Sequence, residues 1–139
     1  MYEIKREKME GITNQSIGKE QLVRGFIFNC SNKTEKECLE KMLFGADKIY
    51  GPVVIRIRKG DLLFLVNREK DVIYGVFKAT TDGGFKIEFS AWKGRYPYQV
   101  RVQILGEIIE LKGADEILRR FGIAQNTPLY WKKNWLLRR

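Results

Sequence analysis

Apolar residues recur at every second position along much of this chain, and at three- and four-residue spacing in two short stretches. Leu22 to Cys30 alternates, with Phe26, Phe28 and Cys30 on one face and Gly25, Ile27 and Asn29 on the other, which is the period of a strand. Thr34 then stands three residues before Glu37, the spacing of a capping box, and predicts a helix start. Cys38, Leu39 and Met42 form the apolar stripe of that helix, Lys33, Lys36 and Lys41 lie off it, and Gly45 can end it. Val53 to Arg58 alternates again, with Val53, Ile55 and Ile57 inward, and Lys59-Gly60-Asp61 turns the chain. Leu62 to Val66 is apolar on both faces, so it predicts a central strand. A charged loop, Arg68 to Asp71, leads back into Val72 to Thr80, where Gly75 invites a bulge or a close backbone approach. After the turn Asp82-Gly83-Gly84, Phe85, Ile87 and Phe89 alternate with Lys86 and Glu88.

SAWKGRYP, Ser90 to Pro97, is a loop. Tyr98 to Leu105 is the cleanest alternation, with Tyr98, Val100, Val102 and Ile104 facing one way and Gln99, Arg101 and Gln103 the other. Asp115 to Phe121 predicts a short helix with Ile117, Leu118 and Phe121 inward, its acids first and its arginines last, as the helix dipole prefers. Five or more strands, two short helices and long loops together predict an α+β fold: a small curled mixed β-barrel with helical plugs. Full βαβ units are missing, so parallel pairing has little support. With 139 residues, no repeat and no linker, one domain is expected, with a core over 22–112, an arm over 1–20, and a helix and tail over 113–139.

Composition narrows the chemistry. No 18-residue apolar window exists, so no membrane span is expected. The start, MYEIKREKME, has no apolar stretch behind its basic residues and does not read as a signal peptide, so a cytoplasmic protein is expected. Cys30 and Cys38 are the two cysteines, without CxxC spacing, and there is no histidine. A metal site is therefore not expected, and both thiols read as small buried apolar groups. Lack of histidine also argues against proton-shuttling catalysis near neutral pH. Neither GxGxxG nor GxxxxGK[ST] occurs, so no cofactor is implied. The formal net charge is +9. Residues 1–92 hold 16 basic and 13 acidic side chains, whereas 93–139 hold 10 and 4. That imbalance favours a phosphate-rich partner, with a lysine-rich solvated surface as the alternative.

The blocks GFIFNCSNKTEKECLEKMLFG, KGDLLFLVN, VIYGVFKATTDGG and SAWKGRYPYQVRVQ, in that order from Gly25 to Gln103, resemble the DCD (development and cell death) domain. That domain looks like a relative of the EVE and YTH domains in the PUA-like group. The resemblance implies a small PUA-like, EVE-like mixed barrel of five to seven strands with short flanking helices, and a group whose members bind RNA or modified bases. The pockets of those relatives resemble a cage. Carried onto this chain, one wall falls at Ser31 and Asn32, one at Phe44, where the relatives have Trp, and one at Trp92.

The residues themselves allow two uses at each of these positions. Trp92, between Ala91 and Lys93-Gly94-Arg95, can stack on a base while Lys93 and Arg95 meet phosphate, or it can lid the barrel end. Phe44 is a pocket wall or plain core. Ser31 and Asn32 can read a base edge or cap the helix with Thr34. Asn29 is a further pocket candidate, Tyr96 can border a groove, and Arg101 can join a basic strip. The tail PLYWKKNWLLRR can dock its rings on the barrel and leave its charges to phosphate. The function expected is a non-catalytic nucleic-acid-binding module, for RNA, holding a single base, modified or not, in an aromatic pocket. The alternative is a protein-interaction or signalling module.

Overall fold

A computed structural model describes residues 2–4 and 25–120. Its strands in chain order are β1 (Tyr2–Ile4), β2 (Gly25–Cys30), β3 (Leu43–Ala46), β4 (Leu62–Asn67), β5 (Val72–Ala79), β6 (Gly84–Phe85) and β7 (Tyr98–Lys112). Three short helices, α1 (Glu35–Lys41), α2 (Gly51–Val54) and α3 (Ala114–Arg120), lie between or after them. The sheet runs β1-β2-β4-β5-β7-β3, with β6 also on β7. β3 packs back against β2, so the sheet forms a nearly closed barrel. The α+β mixed barrel expected from the sequence is therefore the fold observed.

β4 explains the centre. All six of its residues are buried, because one face looks into the barrel and the other is covered. Inside, Leu63 and Leu65 meet Phe26, Phe28, Phe44 and Phe77. The Phe44 ring lies 5.6 Å from Phe28 and 4.8 Å edge-on from Phe77, the geometry aromatic quadrupoles favour. Outside, Ile27, Leu62, Phe64, Val66 and Ile73 pack beneath Ala114 and Leu118 of α3. The alternation of β2 is thus real: Phe26 and Phe28 go in, Ile27 goes out under the helix. Gly75 behaves as its position suggests. A Cβ there would meet the Phe64 ring at 2.7 Å, and the β5–β7 register shifts between Gly75 and Phe77.

Several local expectations are corrected. Parallel pairing does occur, between β2 and β4, with α1, β3 and α2 forming the crossover. Val53 to Arg58 is not a strand. Pro52 sits in the first turn of α2, where a missing N–H does no harm, and Ile55 points into solvent while Val54 and Ile57 are buried. The α1 helix ends at Met42 in the left-handed region (φ 48°), not at Gly45, which is inside β3. β3 escaped the pattern because Leu43 and Phe44 are both buried and break the alternation. Thr34 and Glu37 do not form a capping box: Thr34 makes no side-chain cap bond to the helix. Phe85 to Phe89 is a strand only at Gly84–Phe85. Lys86 turns the chain through φ 56°, so Ile87 packs on the core and both phenylalanines face solvent. Gln99, expected outward, is 1 % exposed. The rest of the N-terminal arm, Leu22, Phe121 and the aromatic-basic tail lie outside the described residues.

Candidate nucleic-acid interface

The end of the barrel where β2 finishes carries two adjoining cavities. The first, of about 190 Å³, is bounded by Asn29 and Cys30 at the end of β2 and Ser31 just after it, by Thr34 just before α1 and Cys38 within it, by Gly45 of β3, and by Trp92 and Tyr96. A cavity of roughly 150 Å³ accepts a benzene ring, so one planar ring is the right scale of occupant. The second, of about 240 Å³, shares Asn29, Gly45 and Tyr96 and adds Asp47 and Tyr50.

Trp92 owes its place to three features of sequence. Gly45 lacks a side chain, so the indole can come close to β3; a Cβ there would fall 2.8 Å from Trp92 Cη2. Trp92 and Lys93 both adopt left-handed backbone (φ 50° and 55°), which throws the ring back toward the barrel. Glu37 of α1 then accepts a hydrogen bond from the Trp92 backbone N–H at 2.8 Å. Left-handed backbone costs a non-glycine residue roughly 1–2 kcal/mol, so this charge-assisted bond does what the expected capping box does not: it fixes the loop rather than its own helix. The indole Nε1 donates to the Thr34 carbonyl at 3.5 Å, the outer limit of such a bond. The ring is 7 % exposed and meets Tyr96 edge-on at 5.8 Å and 78°. It lids the barrel end, one of the two uses its position allowed, and also walls the cavity.

The lining of the first cavity is neutral and polar around these rings. Burial pushes the Cys30 thiol up to about 12 and raises Cys38 as well, so both stay protonated and unreactive at neutral pH. Asn29 offers an exposed amide at the mouth. Ser31 lines the cavity but is largely engaged: its N–H donates to Thr34 Oγ1 at 2.9 Å, and its carbonyl accepts from the Thr34 and Glu35 N–H groups. Lys93 and Arg95 are exposed on the same loop, and no carboxylate pairs with either among the described residues.

Three expected residues are elsewhere. Phe44 is fully buried among Phe28 and Phe77, so it is core and not a wall. On β3 it points opposite to Gly45, and it is the glycine that faces the indole. Asn32 turns away: its Oδ1 accepts from Asn67 at 3.0 Å and its N–H donates to Glu69. Arg101 bonds Glu88 at 3.4 Å beside Lys41, which holds the same carboxylate at 2.6 Å. Tyr50, Thr34, Cys30, Cys38 and Gly45 line the cavities although none of them was expected at the site. The alternation of β2 places Cys30 with the inward set, but nothing local marks Tyr50, whose neighbours are a short turn and Gly51.

The model of the development and cell death domain matches residues 24–117. The chain is 38 % identical over 95 residues to the B2 protein of Daucus carota, covering 63 % of this chain and 46 % of that protein. It is 36 % identical over 96 residues to the DCD domain-containing protein NRP-B of Glycine max, covering 64 % of this chain and 29 % of that one. It therefore spans less than half the length of these relatives. Among solved structures it is similar to the YTH domain of Zygosaccharomyces rouxii MRB1 protein in complex with N6-methyladenosine RNA. That match has TM-score 0.52 and 15 % identity, over 87 % of this chain and 89 % of that one. At this identity the likeness is one of fold.

Proposed function

The chain belongs to the development and cell death domain family, and from that premise we propose that it is a non-catalytic module that binds RNA and holds one unstacked base in the cavity between Trp92 and Tyr96. One observation carries the reading: a ring-sized, neutral, aromatic-walled cavity opens beside a loop that presents Lys93 and Arg95 to solvent. Trp92 and Tyr96 supply apolar surface, the Asn29 amide can donate to and accept from a base edge, and the two cations meet the flanking phosphates. The structural neighbour in complex with N6-methyladenosine RNA supports the choice of ligand. Support for a binding role over catalysis comes from the lining itself. Its thiols are held protonated, and among the described residues no group of histidine, cysteine and carboxylate side chains is placed to hold a metal. No described helix is long and apolar enough to cross a membrane.

The test is a titration of labelled single-stranded RNA by fluorescence anisotropy, with wild type and Asn29→Ala. Asn29 is exposed, so its loss leaves the fold intact, and about a tenfold weakening is expected from one lost base-edge contact. RNA that fails to bind wild type at micromolar protein, or binds both proteins equally, would refute the base-holding reading.

A further inference from the structure

Two phenylalanines stand in solvent on the segment leading to Trp92. Phe89 is 74 % exposed and Phe85 56 %. Neither is on a loose strand of chain. Gln99, buried in β7, accepts from the Glu88 N–H at 2.7 Å and donates to the carbonyls of Glu88 (3.1 Å) and Tyr96 (3.0 Å). One buried amide therefore ties the phenylalanine segment to the backbone of a cavity wall. The Lys86 N–H donates to the Pro97 carbonyl at 2.6 Å, and the Phe85 ring lies 5.1 Å from Tyr98. A Cβ on Gly94, in the Trp92 loop, would sit 3.8 Å from the Phe89 carbonyl. The segment that carries the exposed rings and the loop that walls the cavity are thus held as one unit.

Of the acids near that surface, Glu37 is held by the Trp92 N–H and Lys41, and Asp47 lines the second cavity. Glu88, the acid of the segment, is held between Lys41 and Arg101. What remains on the segment and the Trp92 loop is Lys86, whose ammonium lies 5.1 Å from the Phe85 centroid, together with Lys93 and Arg95. Large exposed rings grouped beside a site mark an interaction surface. Rings interleaved with cations, with the acid of their own segment already paired, fit a polyanion that has flat faces to offer.

We propose that Phe89 and Phe85 form a stacking platform for the nucleotides that flank the one in the cavity, so that the ligand is a single strand laid from Trp92 and Tyr96 across Phe89 toward Phe85. The proposal rests on the base-holding reading and adds strandedness and footprint to it. A paired strand cannot use the platform, because its base faces are already stacked.

The experiment compares a single ribonucleoside monophosphate, a single-stranded RNA of about six nucleotides, and the same RNA annealed to its complement, on wild type, Phe89→Ala and Phe89→Trp. The single strand is expected to bind wild type most tightly. Phe89→Ala should weaken it by roughly tenfold or more, leave the mononucleotide unchanged, and be rescued by Phe89→Trp. Because Phe89 is solvent-exposed, misfolding does not mimic this pattern. If Phe89→Ala binds the single strand like wild type, or the duplex binds as well as the strand, the platform is refuted while mononucleotide binding still supports the cavity. If neither mononucleotide nor strand binds wild type, both readings fall.

Discussion

Gly45 decides whether this barrel end has a tryptophan wall at all. Its neighbours in β3 point into the core, and its own missing side chain is the space the indole occupies. Gly45→Ala places a methyl against the Trp92 ring and 3.0 Å from the Tyr96 carbonyl. Overpacking of this kind costs typically 1–3 kcal/mol, and the ring is the part able to move. The expected outcome is a lowered melting temperature together with a changed indole signal in proton NMR and loss of RNA binding. An unshifted Trp92 indole resonance would show that the contact is not needed. Phe44→Ala should differ: about 3–5 kcal/mol of stability lost through a cavity in the core, with RNA affinity of the folded fraction unchanged. The contrast reflects what the chain's pattern discloses. Trp92, Asn29 and Tyr96, which line the cavity, were legible as candidates because a loop aromatic, an amide on a strand face and a proline-flanked tyrosine each lack an obvious core role. Phe44 was misplaced because two successive apolar residues leave open which one faces inward, and only the β3–β7 register, with Phe44 opposite Val100, resolves it.

At the scale of elements, α1 is a tether as much as a wall. Its third residue, Glu37, holds the Trp92 loop, and its first, Glu35, anchors the β4–β5 hairpin. Burial works to raise the Glu35 carboxyl, but hydrogen bonds from Lys70 (2.7 Å), Asn67 (2.9 Å) and Tyr74 outweigh it and hold the group below its ordinary 4.5. A carboxyl lowered in the folded state stabilises the fold above its unfolded value, and that contribution disappears as pH falls through the folded value. Wild type should therefore lose stability on acidification below about pH 4.5, and Glu35→Gln should flatten that fall. Melting curves between about pH 6 and pH 3 check it, and equal acid sensitivity in both proteins would contradict it. The loop tether is tested separately. Glu37→Ala leaves the Trp92 N–H unpartnered, an expected loss of about 1.5–3 kcal/mol, read as a lower melting temperature and weaker RNA binding. These long-range bonds explain why the elements were easier to foresee than their joints. Strands β2, β4, β5 and β7 show in the pattern because each buries at least one face. The Glu37–Trp92 bond spans 55 residues, and a Thr–x–x–Glu spacing reads locally as a cap.

For the whole molecule, the question is whether the +9 net charge acts as a diffuse field or through a pole. The barrel has two ends. In the parallel β2–β4 pair, Gly25 lies opposite Leu62 and Cys30 opposite Asn67, so Asn29 and Ser31 lead to the cavity end. Lys59, just before β4, belongs to the other end, while Lys93 and Arg95 border the cavity. Each phosphate neutralised on a single strand contributes a slope of about 0.7 to the fall of log affinity with log salt. If the pole does the binding, Lys93→Gln with Arg95→Gln lowers that slope by about 1.4, and Lys59→Gln leaves it unchanged. If the charge acts as a field, Lys59→Gln weakens binding as much as a change beside the cavity does; screening beyond roughly 8–10 Å at physiological salt works against that, because it removes the influence of distant cations. Anisotropy titrations across a salt series separate the two. The cavity reading requires the first pattern, since a base held beside Trp92 brings its own phosphates to Lys93 and Arg95 and to no cation at the far end.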